Sequence, residues 1–591
     1  MKTRPLLLLT TALLLSGCND NPQQVSWFDA LKVWLTGNVP DKYLSEPNWN
    51  YAGQPYPEET TTGNYLSGRF AQSNFDWEAA SRYFTKVLED NPKNMELERR
   101  AMVLAMGAGQ YKKAINHARA VTASDENGSL PRLFLSLETF KSENYAQVLK
   151  EINSVPDDGI SEFVKPLIKS WAAAGLKKTD IAGLNKNVVH FFHAVLIADY
   201  LNDEAALKML AARDYSSMGL SLKSMKQISE IFEKRGIKSQ ISLLLNAIPD
   251  EAMEKISDED EKAEKITSPV GGMSKALFDM ASVLYQDYPD SARLFAELSL
   301  YLDPSRNDSR ILMAHMAAQF KRYNEAISIF NEIDDSNNPE LAVKVDRQIA
   351  ELLEQSGKPE DAITTLRGIV KQTGDVDAQI QIGDIYRDQE NYEQALTEYN
   401  KAFKQLDGEV PAKHWNLLYA RGITQERLKN WKAAEKDLKS ALALEPDHPY
   451  ILNYLGYSWT DQGVNLPEAT RMIEKAAKLR PEDGFIIDSL GWAYYRQGKY
   501  PLAVDALERA IALSPNDPTI NDHLGDAYWK VGRKSEARFQ WRRALSFKPD
   551  AELEAKIHRK IEDGLETSSM PQKPSDIEAS NNLLPKNDAD R

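Results

Sequence analysis

At 591 residues the chain is too long for one hydrophobic core, which stops growing near about 250–300 residues, so it divides into several domains or a repeat array. An apolar content of 42 % excludes wholesale disorder, and a net charge of −15 excludes the basic footprint that non-specific nucleic-acid binding requires. The same acidity offers no attraction to anionic lipid head groups, and a single cysteine excludes an intramolecular disulfide.

The first predicted element is a targeting segment over residues 1–17. Lys2 and Arg4 form a charged start, and Leu6 to Leu15 form an apolar stretch too short to span a bilayer. It ends in Leu15-Ser16-Gly17-Cys18, which resembles the bacterial lipobox, where cleavage precedes a lipid-modified cysteine. The resemblance implies lipidation at Cys18 and a periplasm-facing envelope protein. Each buried acyl CH₂ contributes about 0.8 kcal/mol, so the three chains typical of such a cysteine anchor it permanently. Asn19 after the cysteine favours the outer over the inner membrane, although Asp20 follows it. No later segment is long and apolar enough for a transmembrane helix.

Residues 18–62 read as a lipidated tether. Pro40, Pro47, Pro55 and Pro57 prevent a long helix. Trp27, Phe28, Leu31, Trp34 and Leu35 nevertheless lie at i, i+1, i+4, i+7 and i+8, one apolar stripe of a short helix, with Ser26 as N-cap and Gly37 as its stop. That stripe can cap the chain's own repeats, meet a membrane surface or dock a partner.

From residue 63 onward the governing signal is a 34-residue period, sharpest at the C-terminal end. Gly491, Gly498, Ala503, Ala510 and Pro515 recur as Gly525, Gly532, Ala537, Ala544 and Pro549. Small residues sit where two helices approach, Tyr528 and Trp541 fill the space between, Gly532 permits the turn, and Pro549 stops the second helix. In chain order, repeat-like helix pairs occupy 63–154, with Gly68, Ala80, Phe84 and Pro92 marking the first. Residues 155–272 form helices without clean signatures, and Gly271-Gly272 marks a join. Degenerate repeats fill 273–374, where Ala292, Ala296, Ala314 and Ala326 fit the frame. Well-formed repeats and a final capping helix fill 375–565. The charged run Asp250–Lys265 reads as a solvated loop, and the polar tail 566–591 as disorder.

No catalytic constellation emerges: there is no His-Glu-x-x-His, no phosphate-binding GxxxxGK[ST] and no GxSxG elbow. His190 and His193 share helical spacing without accompanying Cys or acidic ligands and read as partly buried helix histidines. No metal site or cofactor is expected, and the chain reads as non-enzymatic. With repeats running to Pro549, an appended catalytic domain has no room.

The pattern Leu524-Gly525, Tyr528, Gly532, Ala537, Trp541, Ala544, Pro549 resembles the tetratricopeptide repeat (TPR). The resemblance implies an all-α TPR solenoid, a right-handed superhelix of stacked antiparallel helix pairs whose first helices line a protein-binding groove. The groove positions fall on Tyr450, Asn453 and Tyr457, with Thr460 and Asp461; on Phe485, Asp488, Trp492, Tyr495 and Arg496; and on Asp522, Asp526, Trp529 and Lys530, with Thr519. Aspartates at the first-clamp position, Asp488 and Asp522, argue against the Lys/Asn/Arg carboxylate clamp of chaperone-binding TPRs.

The stretches Asp488–Ala493 and Ile520–Leu545 look like those of long exported proteobacterial TPR proteins, often lipoproteins. More loosely, the chain is similar to LbcA-type lipoproteins. That likeness implies an adaptor for a periplasmic carboxyl-terminal processing protease that degrades cell-wall hydrolases. An assembly factor for a secretin, pilus or cell-wall synthase fits the same architecture. Replacing the lipidation site, Cys18→Ser, is expected to release the protein from membranes; sedimentation with membranes after a salt wash refutes the anchor.

Overall fold

In a computed structural model, residues 60–124, 129–157, 159–213, 219–246, 265–336 and 338–565 are described. Cys18, the tether stripe, most of the charged run Asp250–Lys265 and the tail lie outside the described residues. The described residues hold 28 α-helices, one 3₁₀ turn and no strand. None of these helices is long and apolar enough to cross a membrane.

The chain divides into two compact units, Met1–Asn338 and Pro339–Arg591. In the first unit the helices are α1 (Thr61–Ser73), α2 (Trp77–Asp90), α3 (Met95–Gly107), α4 (Tyr111–Ser124), α5 (Ser129–Lys141), α6 (Tyr145–Asn153), α7 (Ser161–Gly175), α8 (Val188–Tyr200), α9 (Glu204–Ala211), α10 (Leu222–Lys234), α11 (Gln240–Asn246), α12 (Pro269–Leu284), α13 (Pro289–Leu302), α14 (Asn307–Gln319) and α15 (Tyr323–Phe330). In the second they are α16 (Pro339–Gln355), α17 (Pro359–Thr373), α18 (Val376–Asp388), α19 (Tyr392–Gln405), α20 (Trp415–Arg427), α21 (Trp431–Leu444), α22 (Pro449–Gln462), α23 (Leu466–Leu479), α24 (Gly484–Arg496), α25 (Tyr500–Leu513), α26 (Pro518–Lys530), α27 (Lys534–Ser546) and α28 (Ala551–Asp563).

Local chemistry explains the pairs. Asp483, Asp517 and Asp550 cap α24, α26 and α28, each accepting from two backbone N–H groups of the first turn. Within a pair the helices close onto a small residue: a Cβ on Gly525 of α26 would lie 2.4 Å from the Trp541 ring of α27. The connecting turn needs one residue with positive φ, as Gly498 and Gly532 supply. The same left-handed position recurs at Phe75, Gly109, Glu143 and Lys177, each 34 residues after the last. The repeat period therefore runs through α7 into the stretch 155–272, where no signature residue marks it in the sequence.

The unit boundary falls at Asn338, not at Gly271-Gly272. Those glycines lie inside α12, where a Cβ on Gly272 would meet the buried Trp171 ring of α7 at 2.4 Å. Helix α12 packs on α7 and α8, and α13 packs on α3 and α5, all much earlier in the chain. Every residue of α13 from Ser291 to Leu302 is buried.

Polar contacts fix this insertion. Arg293 donates to the Gly107 carbonyl at 3.1 Å and pairs with Glu297 at 3.0 Å, and Tyr111 donates to Glu297 at 2.8 Å. Tyr301 meets the rings of Tyr111 and Phe134, with the Lys141 ammonium 4.3 Å above it. The turn after α14 lies against the turn after α1: Phe320 stacks on Phe75 at 4.6 Å, and Arg322 pairs with Asp76 at 2.9 Å. His193 is buried between the Trp171 indole N–H, which it accepts at 3.2 Å, and Asp279 at 2.9 Å. His190 bonds the Phe163 carbonyl at 2.6 Å. Burial lowers the pKa of both histidines.

Two helical glycines should respond oppositely to alanine. Gly272→Ala is expected to destabilise the first unit by about 1–3 kcal/mol through overpacking against Trp171. Gly368→Ala in α17, where a Cβ meets nothing within 4 Å, is expected to stabilise the second by about 0.5–1 kcal/mol. Hydrogen exchange resolved by unit reads both, and equal signs would refute the account.

Candidate partner-binding groove

The face of the first helices predicted to line a groove belongs, in the second unit, to α22, α24 and α26. Asp488 is buried, with both carboxylate oxygens 3.0 Å from His523 Nδ1 of the next first helix. The His523 ring stacks on Trp492 at 4.1 Å, and Trp492 stacks on Tyr495 at 4.9 Å. Burial opposes a charged imidazole here, but Asp488, with Asp522 and Asp526 beyond it, outweighs burial and raises the His523 pKa.

The same pairing recurs one repeat on. Lys560 of α28 donates to Asp522 at 2.6 Å and to Asp526 at 2.9 Å, and the Trp541 indole N–H donates to Asp526 at 3.0 Å. Burial pushes Asp526 up to about 6, against the pull of Lys560. One repeat back, Arg496 donates to the Asp461 main-chain carbonyl at 2.8 Å and lies 3.7 Å from the Asp461 carboxylate. Each acid of this face thus meets a cation 34–38 residues later.

Helix α28 belongs to this register. Lys556 and Lys560 lie 34 residues after Asp522 and Asp526, so α28 is the first helix of an unfinished repeat. Arg559 stands where Gly525 stands one repeat earlier, and among the described residues no second helix packs on it to demand a small residue there.

The predicted groove residues therefore separate. Asp488, Asp522 and Asp526, expected to face a partner, are buried and paired within the chain. Trp529 is likewise engaged: it packs on Trp541 at 5.4 Å and on Gly564, where a Cβ would lie 2.1 Å from its ring. Lys530 is exposed. Tyr450, Tyr457, Phe485, Trp492, Tyr495 and Arg496 are half-buried on the same face. Burial raises the Tyr457 and Tyr495 hydroxyls above their usual range. Asn453 is buried, and neither its side-chain oxygen nor Trp492 Nε1 has a hydrogen-bond partner among the described residues. His523 and Lys560 are missed by a search for signature residues. The 35- and 34-residue spacings of Asp488–His523 and Asp526–Lys560 are the signal that finds them.

Removing Lys560 leaves two buried carboxylates without a cation. Lys560→Met is expected to cost about 3–5 kcal/mol in the last repeat. Lys556→Met, which removes an ion pair with Glu552 on the same helix, should cost less than about 1 kcal/mol. Equal effects in hydrogen exchange of 518–563 would contradict the pairing. The raised His523 pKa gives stability that is complete below the free imidazole value of about 6.5 and is lost as pH rises through the folded value. A His523→Gln variant should flatten that slope.

Comparison with known proteins agrees with this architecture. A model described as a tetratricopeptide repeat-like domain matches residues 305–443, and one described as a TPR repeat matches 491–532. The TPR repeat-containing protein PA4667 of Pseudomonas aeruginosa is 38 % identical over 84 residues, spanning 14 % of this chain and 14 % of that protein. A tetratricopeptide repeat protein from Parabacteroides merdae is 16 % identical over 42 % of this chain and 96 % of that one, with a TM-score of 0.34. A chain of the APC/C hetero-tetramer Cut9-Hcn1 is 16 % identical over 86 % and 96 %, with a TM-score of 0.37. The matched segments fall on the consecutive helices α14–α21 and α24–α26, and the chain carries tetratricopeptide repeats there.

Proposed function

We propose that this protein is a scaffold tethered to the cell envelope by lipidated Cys18, facing the periplasm from the outer membrane, and that it recruits a protein partner through the α22–α26 face. Protein–protein interaction is what its repeats serve. One contrast carries the assignment to the second unit. Inner contacts of the N-terminal repeats are taken by α13, whereas no described helix is inserted on the α22–α26 face, which presents Tyr450, Tyr457, Phe485 and Tyr495; on that face two buried polar atoms lack partners among the described residues. An unsatisfied buried polar group costs about 1–3 kcal/mol, so a segment whose backbone meets Asn453 and Trp492 gains what the free protein forgoes.

The occupant favoured by the sequence resemblance is a carboxyl-terminal processing protease or the cell-wall enzyme it degrades. Acidic side chains at the clamp positions are already paired internally, which removes the cationic site a terminal carboxylate needs.

Capture from solubilised membranes, compared between wild type and a Tyr457→Ala/Phe485→Ala variant, tests the face. Loss of a hot-spot pair predicts a drop of about thirtyfold or more in affinity with helicity retained. Undiminished capture refutes the face. The protease form predicts faster cleavage of a cell-wall hydrolase when the folded protein is added, and an unchanged rate refutes it.

A further inference from the structure

The first repeat has an uncovered side. In α1, Gly68 closes onto Phe84 of α2, where a Cβ would lie 2.6 Å from the ring, as Gly525 closes onto Trp541. That contact sets the register of α1 against every other first helix. Two residues after the glycine position stands Phe70. Its counterparts Leu104, Ile385, Thr424, Ser458, Ala493 and Ala527 are all buried, because this side of a first helix packs on the preceding repeat, as α24 does on α22 and α23. Phe70 is 72 % exposed, and Leu66, one turn earlier on the same side, is 49 % exposed. Two large apolar side chains thus stand where a preceding helix belongs.

We propose that residues 26–37 of this chain are that helix, docking their stripe of Trp27, Phe28, Leu31, Trp34 and Leu35 on Leu66 and Phe70 as an N-terminal cap. The lengths agree. A helix over 26–37 measures about 18 Å, and the exposed side of α1 from Gly63 to Ser73 about 15 Å, at 1.5 Å per residue. Twenty-two residues separate Gly37 from Thr60; at about 3.3 Å each they reach far beyond the return needed to lay one helix along the other. Pro40, Pro47, Pro55 and Pro57 in that connection keep it from running straight on as a helix. The stripe holds three large aromatic rings with one acid and one base among its polar residues, and it is matched by an aromatic ring on α1.

Capping also shortens the leash. With 26–37 docked, seven residues separate Cys18 from the docked helix, a reach of at most about 30 Å. Undocked, the forty-one residues between Cys18 and Thr60 reach as far as about 150 Å. This consequence rests on the anchor proposed above; the docking does not.

Two measurements on the full chain decide. With the photo-reactive p-benzoylphenylalanine in place of Phe70, the expected product is an intrachain adduct to the peptide 26–37, with yield independent of protein concentration. An adduct between two chains, an adduct to lipid in membranes, or no adduct in folded protein overturns the proposal. Independently, Trp27→Ser/Trp34→Ser should raise amide exchange across 61–73 by about tenfold, leaving the second unit unchanged. Unaltered exchange in α1 overturns it, whether or not Cys18 carries lipid.

Discussion

Most repeats here depend on one contact, a small residue of the first helix beneath a large side chain of the second. Gly68 under Phe84, Gly383 under Tyr399, Gly491 under Leu507 and Gly525 under Trp541 leave no room for a methyl group. Close approach lets the two helices bury their facing stripes with few voids, which supplies most of the stability of short helices that are marginal alone. A second contact of the same kind repeats two periods apart, Gly107 against Trp77 and Gly175 against Tyr145, and outside the frame Gly272 lies against Trp171. In the last case the same device docks a helix from late in the first unit onto one from its middle.

The two units spend their inner faces differently. In the first, α13 is apolar nearly all round and has no solvent side, and its few charges are consumed in pairing Arg293 with Glu297 and in holding Gly107 and Tyr111. A helix buried on every side behaves as core, not as ligand. The second unit has no such insertion among its described residues; contacts there join successive helices and successive first helices. Its inner face across α22–α26 is knitted by charge instead, with Asp461, Asp488, Asp522 and Asp526 each answered from the following repeat.

Much of this was legible in the sequence, for identifiable reasons. The repeats from Asp377 to Pro549 announce themselves because glycine and alanine stand at their contacts. The turns hidden from that search are those where Phe75, Glu143, Lys177, Lys321, Glu390 or Lys429 occupies the left-handed position that glycine favours. Tertiary packing holds them there: Phe75, for one, buries its ring against Phe320 and Trp77. Ala292 and Ala296 fit the repeat frame yet belong to the inserted α13, since a fully buried helix carries small residues without being a repeat. The groove was read as a row of independent side chains, and so its aspartates looked available. Pairing across repeats is a two-residue property, visible only when the period is applied to charges as well as to small residues.

That pairing explains the composition of the last described helix. A ladder in which each carboxylate is neutralised from the next repeat leaves its last carboxylates unanswered wherever it stops. A buried aspartate without a partner costs several kcal/mol, so the final repeat requires a cation from something that is not a full repeat. Helix α28 meets the requirement at minimum length. Ile557 is its one wholly buried residue, Lys560 reaches both aspartates, and Gly564 ends the helix under Trp529. Its outward side carries His558, Arg559 and Glu562, so the last described helix turns a solvated surface away from the array. The sign change from aspartate to lysine along one register thus neutralises the last buried aspartates of the described array, and it leaves the aromatic stretch between Tyr450 and Tyr495 as the part of the face not consumed by that pairing.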